Sequence, residues 1–313
     1  MTVSTKARPV ADVSPPARRP WLTNRRRRQL IGVAVVAPAV VVVTIFFLIP
    51  LVMTFWMSLH DWPLLGAHKF VGLANYRRAI HDQQWLNAVL FTLKYTLLIT
   101  PVLLITALAL AFLVNRRGTA ARAFQSVFFL PVVIGFAAAA YLWLYLAQPS
   151  LGPLSDLAVH FGLTSRDTNW FATATSGLLL VSAMVTWKVT GMQMILLLSG
   201  LQSIPGELTE AARIDGAGRF AAFRHITLPL LRPTLALVLV FSVAGSLLAF
   251  DQFYIMTAGG PSNGTITAVY QIYRVSFINF ELGYGAALSA MLMVALAAVS
   301  ALQMLLLRKT DHS

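Results

Sequence analysis

Two ionisable side chains, Lys188 and Asp251, fall well inside long apolar runs, and Lys94 lies nearer the end of a third. A charge inside a bilayer costs about 2.5–3.5 kcal/mol on insertion scales, so each must face protein or water and is a functional candidate. Around Lys188, the residues Thr186, Thr190 and Gln193 recur at helical spacing and share a face. Lys188 points roughly the opposite way, at ~100° per residue. One face can line a solute pathway while the other meets a partner subunit. Asp251 is placed to bind solute or to fix the loop that follows it. Tyr254, with Trp187 and Phe253, offers ring surface for stacking on a sugar, although belt aromatics at the interface are commoner. Lys94 can snorkel to the interface. The six histidines are scattered, and HExxH and GxxxxGK[ST] are both missing. Without cysteine there is no disulfide and no thiolate metal site. The chain therefore offers no catalytic constellation, no metal site and no phosphate loop through which to bind ATP. Transport fits these residues better than enzymatic chemistry.

The elements that position them are membrane spans. The 313 residues are 58% hydrophobic and 11% charged, whereas soluble domains carry roughly 25% charged residues. Six runs reach the ~20 residues needed to cross the hydrocarbon: residues 31–59, 89–114, 124–147, 177–199, 234–256 and 285–307. All read as helices, because backbone polar groups in lipid must be satisfied within the segment. The net charge of +13 is no nucleic-acid signal, since the basic residues sit in loops between the runs. Seventeen of the 24 Lys/Arg fall on the side that holds both termini and five on the other. The positive-inside rule makes both termini cytoplasmic. Residues 1–29 read as a flexible basic tail, 30–307 as one six-helix domain, and 308–313 as a second tail. The first helix is too long for a secretory signal core.

One cytoplasmic loop, residues 200–233, is long and patterned. Ser203 reads as a helix N-cap and Pro205 as a first-turn residue. Glu207 and Glu210 then face the positive end of the helix dipole. Ala211 and Ala212 leave a smooth patch on which another protein can seat closely. Gly216-Ala217-Gly218 interrupts the helix, residues 219–225 resume it, and Pro229 and Pro233 end it. A solvated connector is the plain alternative.

The loop reads Glu210-Ala211-Ala212, three residues, Gly216, nine residues, then Ile226-Thr227-Leu228-Pro229. This resembles the EAA signature of permease subunits of bacterial ABC importers, with every defining position met. Leu201–Pro205 through Ile214-Asp215-Gly216-Ala217 looks like the carbohydrate-uptake branch. So do Val71–Tyr76 and Phe250–Phe253 followed by Thr257–Pro261, the last in the manner of the maltose-type first permease. The large external insertion and extra N-terminal spans of the enterobacterial maltose subunit are missing. The resemblance implies an all-α, type I importer fold in the bacterial plasma membrane. It implies a second homologous permease, two ATPase subunits that carry ATP and Mg²⁺, and an external solute-binding protein. This chain itself would bind no cofactor. Glu210, Ala211, Ala212, Asp215, Gly216, Ile226, Leu228 and Pro229 would form the coupling element, and a sugar would be the solute. Thr186, Lys188, Thr190, Gln193, Asp251 and Tyr254 remain the pathway candidates. An ion-gradient-driven secondary transporter is the alternative. It favours broken midspan helices, for which Pro101 and Gly191 are weak candidates, and leaves the loop signature unexplained.

Overall fold

The computed structural model describes residues 21–115, 118–149, 151–162, 165 and 168–308. Residues 1–20 and 309–313, and Arg116, Arg117 and Arg166, which enter the charge count, lie outside the described residues; residues 21–29 of the expected flexible tail are helical. The chain divides into two units, residues 1–53 and 54–313. In the first unit, α1 (Trp21–Val43) passes through a π-helical turn, Thr44–Leu48, into α2 (Ile49–Ser58). Residues 31–53 carry no charge and nearly all their side chains are exposed, which an apolar helix tolerates when lipid is the solvent.

The second unit opens with a short antiparallel hairpin, β1 (His60–Asp61) and β2 (Lys69–Phe70), in the register His60↔Phe70. Then come α3 (Ala74–Ala79), α4 (Gln83–Val114), α5 (Thr119–Val133), α6 (Phe136–Leu146), α7 (Pro153–His160) and α8 (Ala174–Gln202). After these follow α9 (Gly206–Ile214), α10 (Arg219–Ala222), α11 (Leu228–Leu230), α12 (Arg232–Leu247), α13 (Asp251–Met256), α14 (Ala268–Tyr273) and α15 (Leu282–Arg308). Sequence sets the long helices' starts. Asp82 caps α4, accepting from the N–H groups of Gln84 (2.8 Å) and Trp85 (3.3 Å). Thr173 and Ser176 form a reciprocal capping box at the start of α8.

Among the described residues, four stretches are each long and apolar enough to cross a membrane: Ile31–Ser58, Gln83–Val114, Ala174–Gln202 and Leu282–Leu305. Two bent pairs bring the number to six if each is one span. Here the expected third and fifth spans need correction, because neither is a continuous helix. Residues 124–147 split into α5 and α6, which meet at 99°. Ile134 and Gly135 are extended between them, with ψ of 136° and 152°. Residues 234–256 stop being helical after Leu247. Phe250, at φ −138° and ψ −68°, leads into the separate α13. The fifth span is also bent at its other end, by 69° between Arg219–Leu230 and Arg232–Leu247.

The core is organised along α4 and α8. One cluster joins Tyr95, Ile99 and Leu103 of α4 to Ala139 and Ala140 of α6, Val181 and Met184 of α8, and Phe253 of α13. A second joins Ala107 and Ala111 of α4 to Met194 and Leu197 of α8, with Leu231 and Val238 from the α12 region. Small residues allow this closeness. A Cβ at Gly191 would overlap the backbone of Phe128 and Phe129, so α8 and α5 touch backbone to backbone there.

Candidate functional site

The α8–α12 connection folds as an elbow. Its first helix, α9, is capped by Pro205 rather than by Ser203 as expected. Ser203 instead closes α8, its N–H reaching Ser199 O at 3.1 Å and its hydroxyl donating to Gly200 O at 2.8 Å. The elbow turns at Gly216, which sits at φ +79°. Ala217 N–H bonds Ala212 O (2.8 Å), and Gly216 N–H bonds Arg213 O (3.1 Å). This pair of bonds is the Schellman motif, whose left-handed residue is usually glycine. A Cβ at Gly216 would meet nothing within 4 Å, so the requirement for glycine comes from the backbone and not from crowding.

The motif residues divide by exposure. Glu210, Ala211, Asp215 and Gly216 are exposed, Ala212 is buried, and Ile226, Leu228 and Pro229 are half-buried. The deepest anchor is Leu231, fully buried at the bend into α12; sequence reasoning did not single it out. Phe223 adds a second anchor, edge-on to Phe112 of α4 with ring centroids 5.5 Å apart. Sequence reasoning also passed over Ile214 and Phe220, which are 88% and 73% exposed. Both are large apolar side chains left exposed beside the motif. Their signal was visible as apolar residues in an otherwise charged loop.

The intramembrane polar residues separate. Lys188 is 5% exposed and reaches the break between α5 and α6. Its ammonium donates to Ile134 O, to Pro131 O at 3.3 Å and to Val132 O at 3.5 Å. It also lies 4.8 Å from the centroid of the Phe136 ring. A helix end leaves its last carbonyls unpaired, and a cation there suits the helix dipole. Thr190 Oγ1 lies 3.3 Å from Thr106 Oγ1 of α4. Gln193 Nε2 donates to Ser242 Oγ of α12 at 2.8 Å, leaving its Oε1 buried without a partner. Ser246 of α12 donates to Thr96 of α4 at 3.0 Å. These bonds tie α4, α8 and α12 together. Thr186 and Thr190 line a cavity of ≈ 430 Å³ with Trp187, Phe128 and Pro131, whereas Gln193 does not. The expected shared face is therefore only partly a shared surface.

Asp251 and Tyr254 sit elsewhere, on α13. Asp251 opens that helix, half-exposed. Tyr254 belongs to an aromatic group: its ring is stacked 5.2 Å from Phe250, and lies 5.4 Å from both Tyr270 and Tyr273. Close by in the fold, α3, α4 and α15 are laced together. Tyr284 donates to Asp82 Oδ2 at 2.7 Å, and Arg78 pairs with Glu281 at 2.6 Å while covering the Tyr284 ring. Burial alone would lower the Arg78 guanidinium, but the Glu281 carboxylate raises it above its ordinary value.

Comparison with known proteins gives these elements a context. Residues 71–312 match the family model described as binding-protein-dependent transport system inner membrane component. The chain is 34% identical over 274 residues to the sn-glycerol-3-phosphate transport system permease protein of Yersinia enterocolitica, covering 86% of this chain and 90% of that one. It is 29% identical over 276 residues to the probable starch degradation products transport system permease protein of Thermoanaerobacterium thermosulfurigenes, covering 88% and 93%. Among solved structures it superposes on a chain of a bacterial alginate ABC transporter in complex with an alginate pentasaccharide-bound periplasmic protein. There the TM-score is 0.79 at 21% identity, over 94% of this chain and 99% of that one.

Proposed function

The chain belongs to the binding-protein-dependent transport system inner membrane component family, and from that premise we propose that it is a permease subunit of an ATP-driven importer of a sugar or related solute. Its fold is that of a type I ABC importer permease, and it is a multi-pass membrane protein. In this reading α5 with α6 is one crossing and α12 with α13 another, giving six, with both termini in the cytoplasm of a bacterial cell. The domain plan is a tail at 1–29, the permease at 30–307 and a tail at 308–313. A second homologous permease completes the pathway, two ATPase subunits carry ATP and Mg²⁺, and an external binding protein delivers the solute. The relatives' names, which concern starch products and glycerol phosphate, support the solute class.

The observation that carries the proposal is the elbow at 200–233. Its motif positions form a helix, a glycine-dependent turn and a second helix, with Ile214 and Phe220 presented to solvent. On an ATPase surface, Glu210 makes the electrostatic contact, the exposed Ala211 allows close seating, and Asp215 and Gly216 form the turn, while the buried Ala212 packs inward and does not meet the partner as expected. Ile226, Leu228 and Pro229 lead to Leu231, which is packed into the core with residues of α4 and α8. ATP-driven closure of the ATPases then moves the elbow. That movement reaches α4, α8 and α12 as a rigid-body change between inward and outward access. Thr186 and Thr190, on their cavity, are the better-placed pathway residues. Lys188 shapes the α5–α6 break, and Asp251 and Tyr254 belong to the opposite mouth.

Membrane vesicles containing the complete importer test this reading. Uptake that needs ATP, stops with vanadate and survives a protonophore supports it. Uptake driven by an ion gradient and indifferent to vanadate refutes it.

A further inference from the structure

Between α4 and the connection running from α13 into α14 lies a cavity of ≈ 340 Å³, lined by Gln84, Asn87, Lys94, Asn263, Gln271 and Arg274 among others. That volume is within the range of small-molecule sites, roughly 300–1,000 Å³. The lining carries two cations and four carboxamides, and no carboxylate. Among the described residues the ion pair is Arg78–Glu281, so neither Lys94 nor Arg274 has an acidic partner. The lining thus presents positive charge with no carboxylate among the residues that form it.

The walls are held in place. Thr92 Oγ1 of α4 accepts the Ala268 N–H at the start of α14 at 2.8 Å. Ala88 and Ile266, which line the cavity, pack together with Tyr270. Arg274 is oriented by a 3.2 Å hydrogen bond from Nη1 to Asn263 Oδ1, which leaves its other N–H groups for a ligand. Gln271 is buried, with Oε1 unpartnered, and its Nε2 lies 3.5 Å from Gln84 Oε1. Tyr270 links this cavity to the aromatic group of Phe250 and Tyr254, with centroids 5.9 and 5.4 Å away. Burial raises the Tyr270 hydroxyl while the Arg274 charge works against that rise, so Arg274 is electrostatically close to this ring. Lys94 is thus more than an interfacial lysine, because it closes a site whose other charged wall comes from a distant part of the chain.

We propose that this pocket binds an oxyanion, a phosphate or carboxylate, carried either by a hydroxylated soluble molecule or by a lipid headgroup. The guanidinium takes the oxygens in its planar fork and the ammonium adds a point charge. The exposed amides of Gln84 and Asn87 serve neighbouring hydroxyls. The inference stands on the lining chemistry and is independent of whether the elbow couples to an ATPase.

The test uses the full chain in nanodiscs of zwitterionic phosphatidylcholine, titrated by calorimetry with inorganic phosphate, with glucuronate and with glucose as the neutral analogue. Saturable binding of both anions but not of glucose is expected. Lys94→Gln and Arg274→Gln should each weaken it about tenfold or more, while Lys94→Arg retains it. Since Lys94 is exposed and Arg274 half-exposed, the variants should unfold at the wild-type temperature in the absence of anion. A parallel set of nanodiscs doped with phosphatidylglycerol identifies the source. Loss of phosphate affinity there assigns the site to a lipid headgroup, and unchanged affinity assigns it to a soluble anion. Two results overturn the proposal: identical anion binding in wild type and both glutamine variants, or no anion binding together with no Lys94- or Arg274-dependent stabilisation by phosphatidylglycerol.

Discussion

Replacing Lys188 with methionine keeps the length of the side chain and removes its charge. In the folded protein the ammonium serves three carbonyls at the α5–α6 break, two of them at 3.3 and 3.5 Å. Hydrogen bonds to charged groups contribute about 1.5–3 kcal/mol each at good geometry, and two of these are long. Each carbonyl left unpaired costs about 1–3 kcal/mol. Against this, methionine is relieved of the cost of a buried charge, about 2.5–3.5 kcal/mol on insertion scales. The denatured chain in a membrane bears part of that cost too, so the relief is incomplete. The net cost should be about 1–3 kcal/mol, the range for leaving a buried acceptor unpaired. Thermal unfolding in nanodiscs should show the midpoint of Lys188→Met falling by several degrees. Lys188→Arg, which keeps donors at the break, should fall less. Uptake by the assembled importer should lose maximal rate more than apparent affinity, since the bend is disturbed and not the solute. An unchanged midpoint combined with a tenfold higher KM would refute this reasoning and make Lys188 a solute ligand.

Asp82→Ala removes both the α4 cap and the acceptor of the Tyr284 hydroxyl, and should destabilise by about 2 kcal/mol; Asp82→Asn, which can still cap, should cost less in the same melting experiment. Leu231→Ala should cost about 2–5 kcal/mol, the range for truncating a fully buried leucine, and should weaken coupling in proportion. Reporter fusions at Arg117 and Arg219 should read as cytoplasmic and fusions at His68 and Ser262 as external; an external signal at Arg219 removes any coupling role for the elbow.

What the sequence makes legible follows from what lipid demands. Apolar length locates the crossings because every residue in the hydrocarbon must be compatible with it. It does not reveal where a crossing bends. Pro131, Gly135 and Phe250 are all acceptable in an apolar run, so the breaks at 134–135 and 248–250 leave hydropathy undisturbed. Lys188 shows the same limit. Its presence marks a buried polar requirement, but its partners are carbonyls created by a bend more than fifty residues earlier in the chain. Helical spacing put Thr186, Thr190 and Gln193 on one face. Only tertiary packing decides that Gln193 meets Ser242 while the two threonines line a cavity. Ser203 was misread because Pro205 begins the next helix without any side-chain cap. Gly216 was readable, since a glycine after a short alanine-rich helix points to a left-handed turn. Lys94 and Arg274 were not readable as neighbours, because their separation in sequence gives no hint of a common wall.

The coupling claim rests on the elbow and can be tested there without touching a span. Gly216→Val forces a β-branched residue into a left-handed conformation, costing roughly 1–2 kcal/mol locally, and Glu210→Lys reverses an exposed charge. ATP-driven uptake and co-purification of the ATPase subunits should be measured in the same membranes for both variants. The expected result is normal insertion of the chain with uptake abolished, and with the ATPases either lost on purification or hydrolysing ATP without transport. Wild-type uptake and wild-type co-purification in both variants would contradict the account and reduce the loop to a solvated connector.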